Sequence, residues 1–166
     1  MSLIEIEVER HANPVDVIEH VAALEDWAFE RSGADEITVS LGGRWCDYHV
    51  SFSWMEDVEA LHLACAFDLK VNEARRIEVM RLLALVNEQM WLGHFDLWSG
   101  QGLVMYRHAL LLAGGADPSA RQVGAMLNGA IEACDRYYQA FQFVVWAGKT
   151  AQEALEGALF ETVGEA

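Results

Sequence analysis

Hydrophobic and polar residues alternate along three successive segments in the first half of the chain. The clearest segment is Cys46–Trp54, and residues 36–41 and 60–69 show the same pattern. Because neighbouring side chains of a strand point to opposite faces of a sheet, this period of two predicts three strands with one buried face. Gly42-Gly43 and residues 55–57 connect them, and such short connections predict an antiparallel meander.

Helical spacing of apolar residues predicts four helices. Asn13-Pro14 opens the first, which is expected to end near Gly33. The second begins at Asn72-Glu73 and runs to about Met90, with an apolar side that comprises Ile77, Met80, Leu83, Val86 and Met90. Ser119 caps the third helix, which ends near Gly148, and Thr150 to Glu153 forms a capping box for a fourth that runs to about Phe160.

A second hairpin is predicted where residues 94–98 and 103–112 flank a glycine-containing turn. Residues 3–9 also alternate and predict either an extra strand or an ordered acidic arm within residues 1–12, and residues 161–166 are expected to fray. No linker divides the chain. The prediction is one α+β domain over residues 1–166, in which helices pack on a five-stranded antiparallel sheet. The predicted order is (β)-α-β-β-β-α-β-β-α-α.

Charge and cysteine content narrow the possible partners and location. The 166 residues carry a formal net charge of −15, which disfavours both nucleic acid and anionic membrane surfaces as partners. The three cysteines are far apart, and the N-terminal residues lack the pattern of a signal peptide, so we expect reduced thiols and a cytoplasmic location. No apolar run approaches the length of a membrane span.

Apparent catalytic motifs fail on spacing or placement. Gly148-Lys149-Thr150 resembles the end of a phosphate-binding loop, but Phe143 stands where that motif needs glycine. Glu59 and His62 have a di-iron spacing that requires a helix, whereas they enter a predicted strand. The cysteines lie on predicted inward faces without a cationic neighbour. We therefore expect neither an enzyme nor a cofactor.

A metal site was weighed on one predicted sheet face. His49 and His62 lie on adjacent strands there, and Asp47 shares that face. Imidazole and carboxylate groups bind transition metals. A solvated sheet face explains the same residues, and this plainer interpretation is favoured. Small residues also lie on that face and would let another surface approach closely, namely Ser51, Ser53, Ala60, Ala64 and Ala66.

Surplus aromatic residues suggest a partner surface. Trp98 lies beside a turn, and Phe143 and Trp146 lie off the main apolar stripe of the third helix. They form either a partner site or the cover for the last helix, and both interpretations stay open. A second hypothesis places a small-molecule pocket between sheet and helices, lined by Tyr48, Trp54, Tyr106 and Arg107. Because Arg107 lies within an apolar strand, it would need a partner such as a carboxylate.

One set of residues resembles the central signature of YbjN-domain proteins. Val86-Asn87, Gly93-His94-Phe95-Asp96-Leu97 and Gly102–Arg107 match a helix that ends in an Asn turn, a G-x-F strand, and a strand with a Tyr-Arg pair. The start, with Asn13-Pro14, Asp16, Trp27 and Phe29, looks like the version found in a bacterial subgroup. The acidic N-terminus and the capped helix at Thr150 differ from the family pattern.

The resemblance implies a fold similar to type III secretion chaperones and a role in bacterial sensory transduction regulation, with no catalytic residues. Combined with the residue patterns, it favours a non-catalytic regulatory or chaperone-like module that binds a protein or peptide. A homodimer is expected, formed through the third helix and the hairpin around Trp98. The small-molecule sensor remains the alternative. The candidate partner or ligand surface comprises Trp98, Tyr106, Arg107, Phe143, Trp146, Tyr48 and Trp54.

Overall fold

The computed structural model describes residue 10 and residues 12–163, with side chains described as far as Phe160. The helices are α1 (Pro14–Leu24), α2 (Arg76–Asn87), α3 (Ala120–Val145) and α4 (Ala151–Val163). The strands are β1 (Ala28–Arg31), β2 (Glu36–Gly42), β3 (Asp47–Met55), β4 (Ala60–Lys70), β5 (His94–Trp98) and β6 (Leu103–Leu111). No helix among these residues is both long and apolar enough to cross a membrane.

The six strands form one antiparallel sheet in the order β1-β2-β3-β4-β6-β5. Strands β2, β3 and β4 are the predicted meander, and β5 and β6 are the predicted hairpin. Strand β6 pairs with β4, which leaves β5 at one edge of the sheet and β1 at the other. The predicted α+β class and antiparallel sheet are confirmed.

The first helix is shorter than its sequence pattern predicts. It ends at Leu24 instead of near Gly33, because the chain turns at Asp26, whose φ of 56° is left-handed. Residues 28–31 then form the sixth strand, β1, which pairs with β2. The guanidinium of Arg31 reaches back to α1, so the strand that replaces the end of the helix is tied to the remaining part.

Both predicted terminal features fall largely outside the described residues. The possible strand at Leu3–Glu9 lies entirely outside them. At the other end, α4 continues to Val163, three residues beyond the predicted helix end, and residues 164–166 are not described.

The helices pack on one face of the sheet. Helices α1 and α3 contact the meander, α2 contacts β5, and α4 lies against α2 and α3. Alternate strand residues enter the core under the helices, as the period of two predicts. They include Ile37, Val39, Tyr48, Val50, Phe52, Leu61, Leu63, Cys65, Phe67, Leu69, Phe95, Val104 and Tyr106.

Aromatic rings form the centre of this core. The Phe67 ring lies 5.0 Å from that of Tyr138 and 5.7 Å from those of Phe95 and Phe141, between ring centroids. Phe95 also contacts Tyr106 edge-on at 5.5 Å. Pairs in these tilted and edge-to-face geometries stabilise by about 0.5–1.5 kcal/mol beyond their area burial. The cluster therefore holds α3, β4 and the β5–β6 hairpin together.

The apolar side predicted for α2 is shifted in phase at its start, whereas Val86 is buried and Leu83 and Met90 pack against the core as predicted. Ile77 and Met80 are 65% and 59% exposed, and the buried residues of this helix are Val79, Leu82 and Val86. Polar residues explain the rotation. The Glu78 carboxylate accepts a hydrogen bond from the Ala151 amide at 2.9 Å, so it faces α4 and not solvent.

Helix α4 is held at its first turn. Thr150 and Glu153 form the predicted capping box, with hydrogen bonds of 3.2 and 3.3 Å between side chain and main chain. The Arg75 guanidinium donates to the carbonyls of Val144 and Lys149, each at 2.8 Å, and joins the start of α2 to the α3–α4 turn.

Asp135 on α3 fastens this helix to the β2–β3 turn. Its carboxylate accepts hydrogen bonds from the Tyr48 hydroxyl at 2.9 Å and the Arg44 amide at 2.8 Å. Its carbonyl accepts one from the Trp45 indole at 2.8 Å. Burial, followed by the bond to Asp135, raises the pKa of Tyr48. The phenol stays neutral and remains a hydrogen-bond donor in the core.

Replacing Asp135 by Ala leaves the buried Tyr48 hydroxyl without its partner. We expect D135A to lower the free energy of unfolding by about 1–3 kcal/mol, the cost of an unsatisfied buried donor. Urea denaturation measures it, with Glu132→Ala at an exposed position of the same helix as the matched control. Equal losses for the two variants would contradict this role.

Candidate functional site: the open face of the sheet

No described helix covers the second face of the sheet, which we call the open face. Its residues alternate with the core residues along each strand, and most are half-buried or exposed. Across β3, β4, β6 and β5 they are Asp47, His49, Ser51, Ser53, Met55, Ala60, His62, Ala64, Ala66, Asp68, Lys70, Leu103, Met105, Arg107, Ala109, Leu111, His94, Asp96 and Trp98. The five small residues predicted to share one face all lie here.

The middle of the open face is lined by small side chains and one end by large apolar ones. Ser51 pairs with Ala64 across β3 and β4. At the end of the sheet, Met55, Ala60 and Leu111 form one cross-strand row, in which Met55 is 50% and Leu111 69% exposed. Another protein segment can therefore approach the sheet closely in the middle and find apolar contacts at one end.

Arg107 is the centre of a polar cluster on this face. Its guanidinium forms an ion pair with Asp96 at 3.0 Å, and its Nε donates to His62 Nε2 at 3.2 Å. His94 lies directly opposite Arg107 in the β5–β6 register. The carboxylate partner expected for Arg107 is thus Asp96 on the neighbouring strand, and the pair is partly exposed.

The surroundings of His62 and His108 disfavour protonation of these two histidines. Burial lowers the pKa of His62, and the nearby charges of Arg107 and His94 lower it further. Burial, with His94, also lowers the pKa of His108. Cations and partial desolvation both destabilise an imidazolium ion.

Three predicted ligand-contacting residues belong to the core instead. Tyr48, Trp54 and Tyr106 are 2%, 8% and 3% exposed, and all three point into the core on the helix-covered side of the sheet. Arg107 follows Tyr106 in the same strand and so points to the opposite face. The four residues of the predicted pocket between sheet and helices are therefore not brought together.

The three surplus aromatic residues lie at separate places. Trp98 is 44% exposed on the open face at the end of β5, opposite Leu103. Phe143 lies beside Gly157 of α4 and under the Lys149 ammonium, which supports its interpretation as cover for the last helix. Trp146 follows α3 and is 64% exposed.

The two histidines considered as metal ligands are far apart. His62 pairs with Ser53, which lies four residues from His49 along β3, a distance of about 13 Å. The Ser40 hydroxyl lies 2.8 Å from His49 Nδ1. Among the described residues, no group of three or more His, Cys, Asp or Glu side chains could hold a metal ion.

One cysteine differs from expectation. Cys65 and Cys134 are buried as predicted, but Cys46 is exposed, because β3 begins at Asp47 and leaves Cys46 in the turn. Burial is the largest cause that raises the pKa of the Cys46 thiol. A raised thiol pKa disfavours the reactive thiolate.

The residues that resembled a family signature form one structural unit next to the open face. The Asn87 side chain, at the end of α2, bonds both main-chain groups of Phe95, at 2.8 and 3.0 Å. Gly93 has a φ of 70°, and a Cβ there would lie 2.3 Å from the Tyr106 hydroxyl. Glycine is therefore required for the chain to pass Tyr106 and place His94 beside Arg107.

A comparison with known protein families supports the resemblance that these residues carry. A family model described as "YbjN: Putative bacterial sensory transduction regulator" matches residues 14–143. This chain belongs to the YbjN family. No curated protein matches its sequence.

One solved structure supports the YbjN fold. The "Crystal structure of YbjN, a putative transcription regulator from E. coli" has 8% identity and a TM-score of 0.54, over 89% of this chain and 93% of that one. At that identity the similarity concerns the fold alone. A chain of the "HopA1-SchA Chaperone-Effector Complex" has 15% identity and a TM-score of 0.48, over 71% of this chain and 87% of that one.

Sequence patterns missed several residues around the open face of this YbjN-family protein. Trp91 and Leu92 are 98% and 70% exposed and lead directly into His94. Both lie between the end of α2 and Gly93, outside any periodic segment. Periodicity assigns an apolar residue in such a position to no buried side, and this was the one indication in the sequence that they are exposed. The sequence did not identify Asp96 as the partner of Arg107, because the pattern of β5 or β6 alone does not show which of their residues lie side by side.

The lowered pKa values give a testable pH dependence. The pKa of His62 in the folded protein lies below the ordinary value of 6.5, so this imidazole binds a proton more readily in the unfolded chain. The free energy of unfolding therefore falls as pH drops below 6.5. We expect the free energy of unfolding of His62→Gln to fall less than that of wild type between about pH 7 and about pH 5. Urea denaturation at both pH values measures this difference, and identical pH dependence would contradict it.

Proposed function

We propose that this YbjN-family protein is a non-catalytic regulatory or chaperone-like module of the bacterial cytoplasm that binds a protein or peptide segment on the open face. The observation that carries the proposal is the uncovered sheet itself. It presents small side chains in the middle and the exposed Met55–Ala60–Leu111 row at one end. The family assignment supports a regulatory role.

Charge specifies the kind of partner. The formal net charge is −15, and exposed carboxylates lie at both ends of the open face, with Glu56 and Asp57 beside Met55 and Asp47 and Asp68 at the other end. Opposite charges around an apolar contact speed association and select partners. The expected partner is therefore a segment with apolar side chains flanked by lysine or arginine, and added salt weakens its binding.

A bulky residue in the middle of the open face tests this function. Ala64→Trp should reduce retention of a specific partner from native cell extract at least about tenfold, the scale of one central interface position. Because the side chain points away from the core, the variant should still fold. Ala125→Trp, at an exposed position on α3, is the matched control and should retain the partner as wild type does.

Mass spectrometry of the proteins retained by each immobilised variant measures the difference. A protein held by wild type and Ala125→Trp but lost with Ala64→Trp supports the proposal. Equal retention by both variants, or no specific protein retained by wild type, contradicts it.

We also infer a homodimer, with a revised contact. Trp98 and α3 lie on opposite faces of the sheet, and the apolar stripe of α3 is buried within the protomer. A symmetric interface uses the same patch on both copies, so α3 and Trp98 do not form one such patch. Strand β5 lies at an edge of the sheet and carries the exposed Trp98, which favours a contact of two copies through this tryptophan.

Light scattering on the purified protein at micromolar concentration tests the dimer. We expect twice the 18.5 kDa chain mass for wild type and the single chain mass for Trp98→Ser. Trp146→Ser removes another exposed tryptophan and should remain dimeric. A monomeric wild type, or a dimeric Trp98→Ser variant, would exclude this interface.

A further inference from the structure

A notch interrupts the sheet where β5 begins. Strand β5 starts at His94, opposite Arg107, whereas β6 continues to Leu111, so the β6 edge beyond Arg107 has no described strand on that side. A cavity of about 340 Å³ lies at this point, lined by His62, Gly93, His94, Arg107, His108 and Ala109. His108 lies on the helix-covered face of β6. Its side chain lines the cavity because β5 does not extend beside this part of β6.

The notch gathers cationic and hydrogen-bonding groups in a chain of net charge −15. Three imidazoles and one guanidinium line it. The guanidinium uses Nε for His62 and Nη1 for Asp96, and no described residue accepts a hydrogen bond from its Nη2. His94 is exposed and has no hydrogen-bond partner among the described side chains.

We propose that this notch binds a small molecule through an oxyanion group, a carboxylate or a phosphate. A guanidinium presents paired N–H donors whose geometry matches such groups. Imidazole N–H groups from three strands add donors around the same space. The volume lies at the lower end of the range for small-molecule sites, so the expected ligand is small.

Proton uptake follows from the same geometry. The groups facing the cavity are His62 from β4, His94 from β5, and Arg107 and His108 from β6, with Asp96 of β5 behind Arg107. Arg107 and His94 contribute to the lowered pKa of His62. A bound anion favours the protonated forms of His62 and His108 and raises the pKa of each, so binding tightens as pH falls.

Nitrogen NMR of the histidine side chains tests the site on the intact chain. Inorganic phosphate and succinate are titrated separately at constant ionic strength, with sodium chloride as the control salt. We expect saturable shifts of the His62, His94 and His108 signals with at least one of the two anions. The anion with the lower dissociation constant shows whether the notch prefers a phosphate or a carboxylate. The His49 signal, from the same face but outside the notch, should not move.

Two variants decide whether the notch is responsible. Arg107→Gln should weaken binding at least about tenfold, the scale of a charge-assisted hydrogen bond. Arg107→Gln also removes the ion-pair partner of Asp96 and could affect folding. His94→Ala is therefore a second variant, at an exposed position where the substitution does not threaten folding, and it should also weaken binding. Absence of saturable shifts in wild type, or wild-type affinity in both variants, would overturn the proposal. Neither result depends on a protein partner.

Discussion

The alternation of side chains along β3 and β4 sends the large apolar residues of the sheet centre to one face. Phe52, Leu63 and Phe67 point toward the helices, while Ser51, Ala64 and Ala66 point away. Burial of the first set against α1 and α3 supplies the hydrophobic stabilisation of the fold. A shift of register by one residue would exchange the two sets, so the core and the open face are specified by the same constraint.

The second consequence of this constraint concerns polar groups. Tyr106 and Arg107 are neighbours, yet one joins the aromatic core and the other meets Asp96 and His62 on the open face. Under the helices a guanidinium would be costly to desolvate. On the uncovered face it remains partly hydrated, so a cationic cluster is tolerated beside a well-packed core. The polar notch and the apolar row thus share one face because the helices cover the other.

Local periodicity predicted most of the fold, and its failures have physical causes. Five strands, the meander, the hairpin and three caps follow from neighbouring residues. The end of α1 was missed, because a left-handed turn at Asp26 and pairing of residues 28–31 with β2 override a helical pattern. The phase of α2 was missed, because Glu78 bonds the first turn of α4, a contact with residues far along the chain.

The candidate site was less predictable than the fold. The small residues of the open face were correctly assigned from alternation. The pocket prediction was wrong to combine Tyr106 with Arg107, because neighbouring strand residues point to opposite faces. The pairing of Arg107 with Asp96 and the notch beyond His94 depend on where β5 begins relative to β6, which local patterns do not contain. Trp91 lies in a connection outside any periodic segment, and periodicity alone therefore does not decide whether it is buried or exposed.

An uncovered sheet face is the central claim, and solvent paramagnetic relaxation of alanine methyl groups measures it directly. Ala66 and Ala109 are exposed on the open face, whereas Ala22, Ala130 and Ala140 are fully buried under or within the helices. With a soluble paramagnetic agent added to a dilute solution of the protein, we expect strong relaxation enhancement for the first two methyl groups and weak enhancement for the other three. Weak enhancement at Ala66 and Ala109 would mean that the protein covers this face itself, and it would contradict an open face.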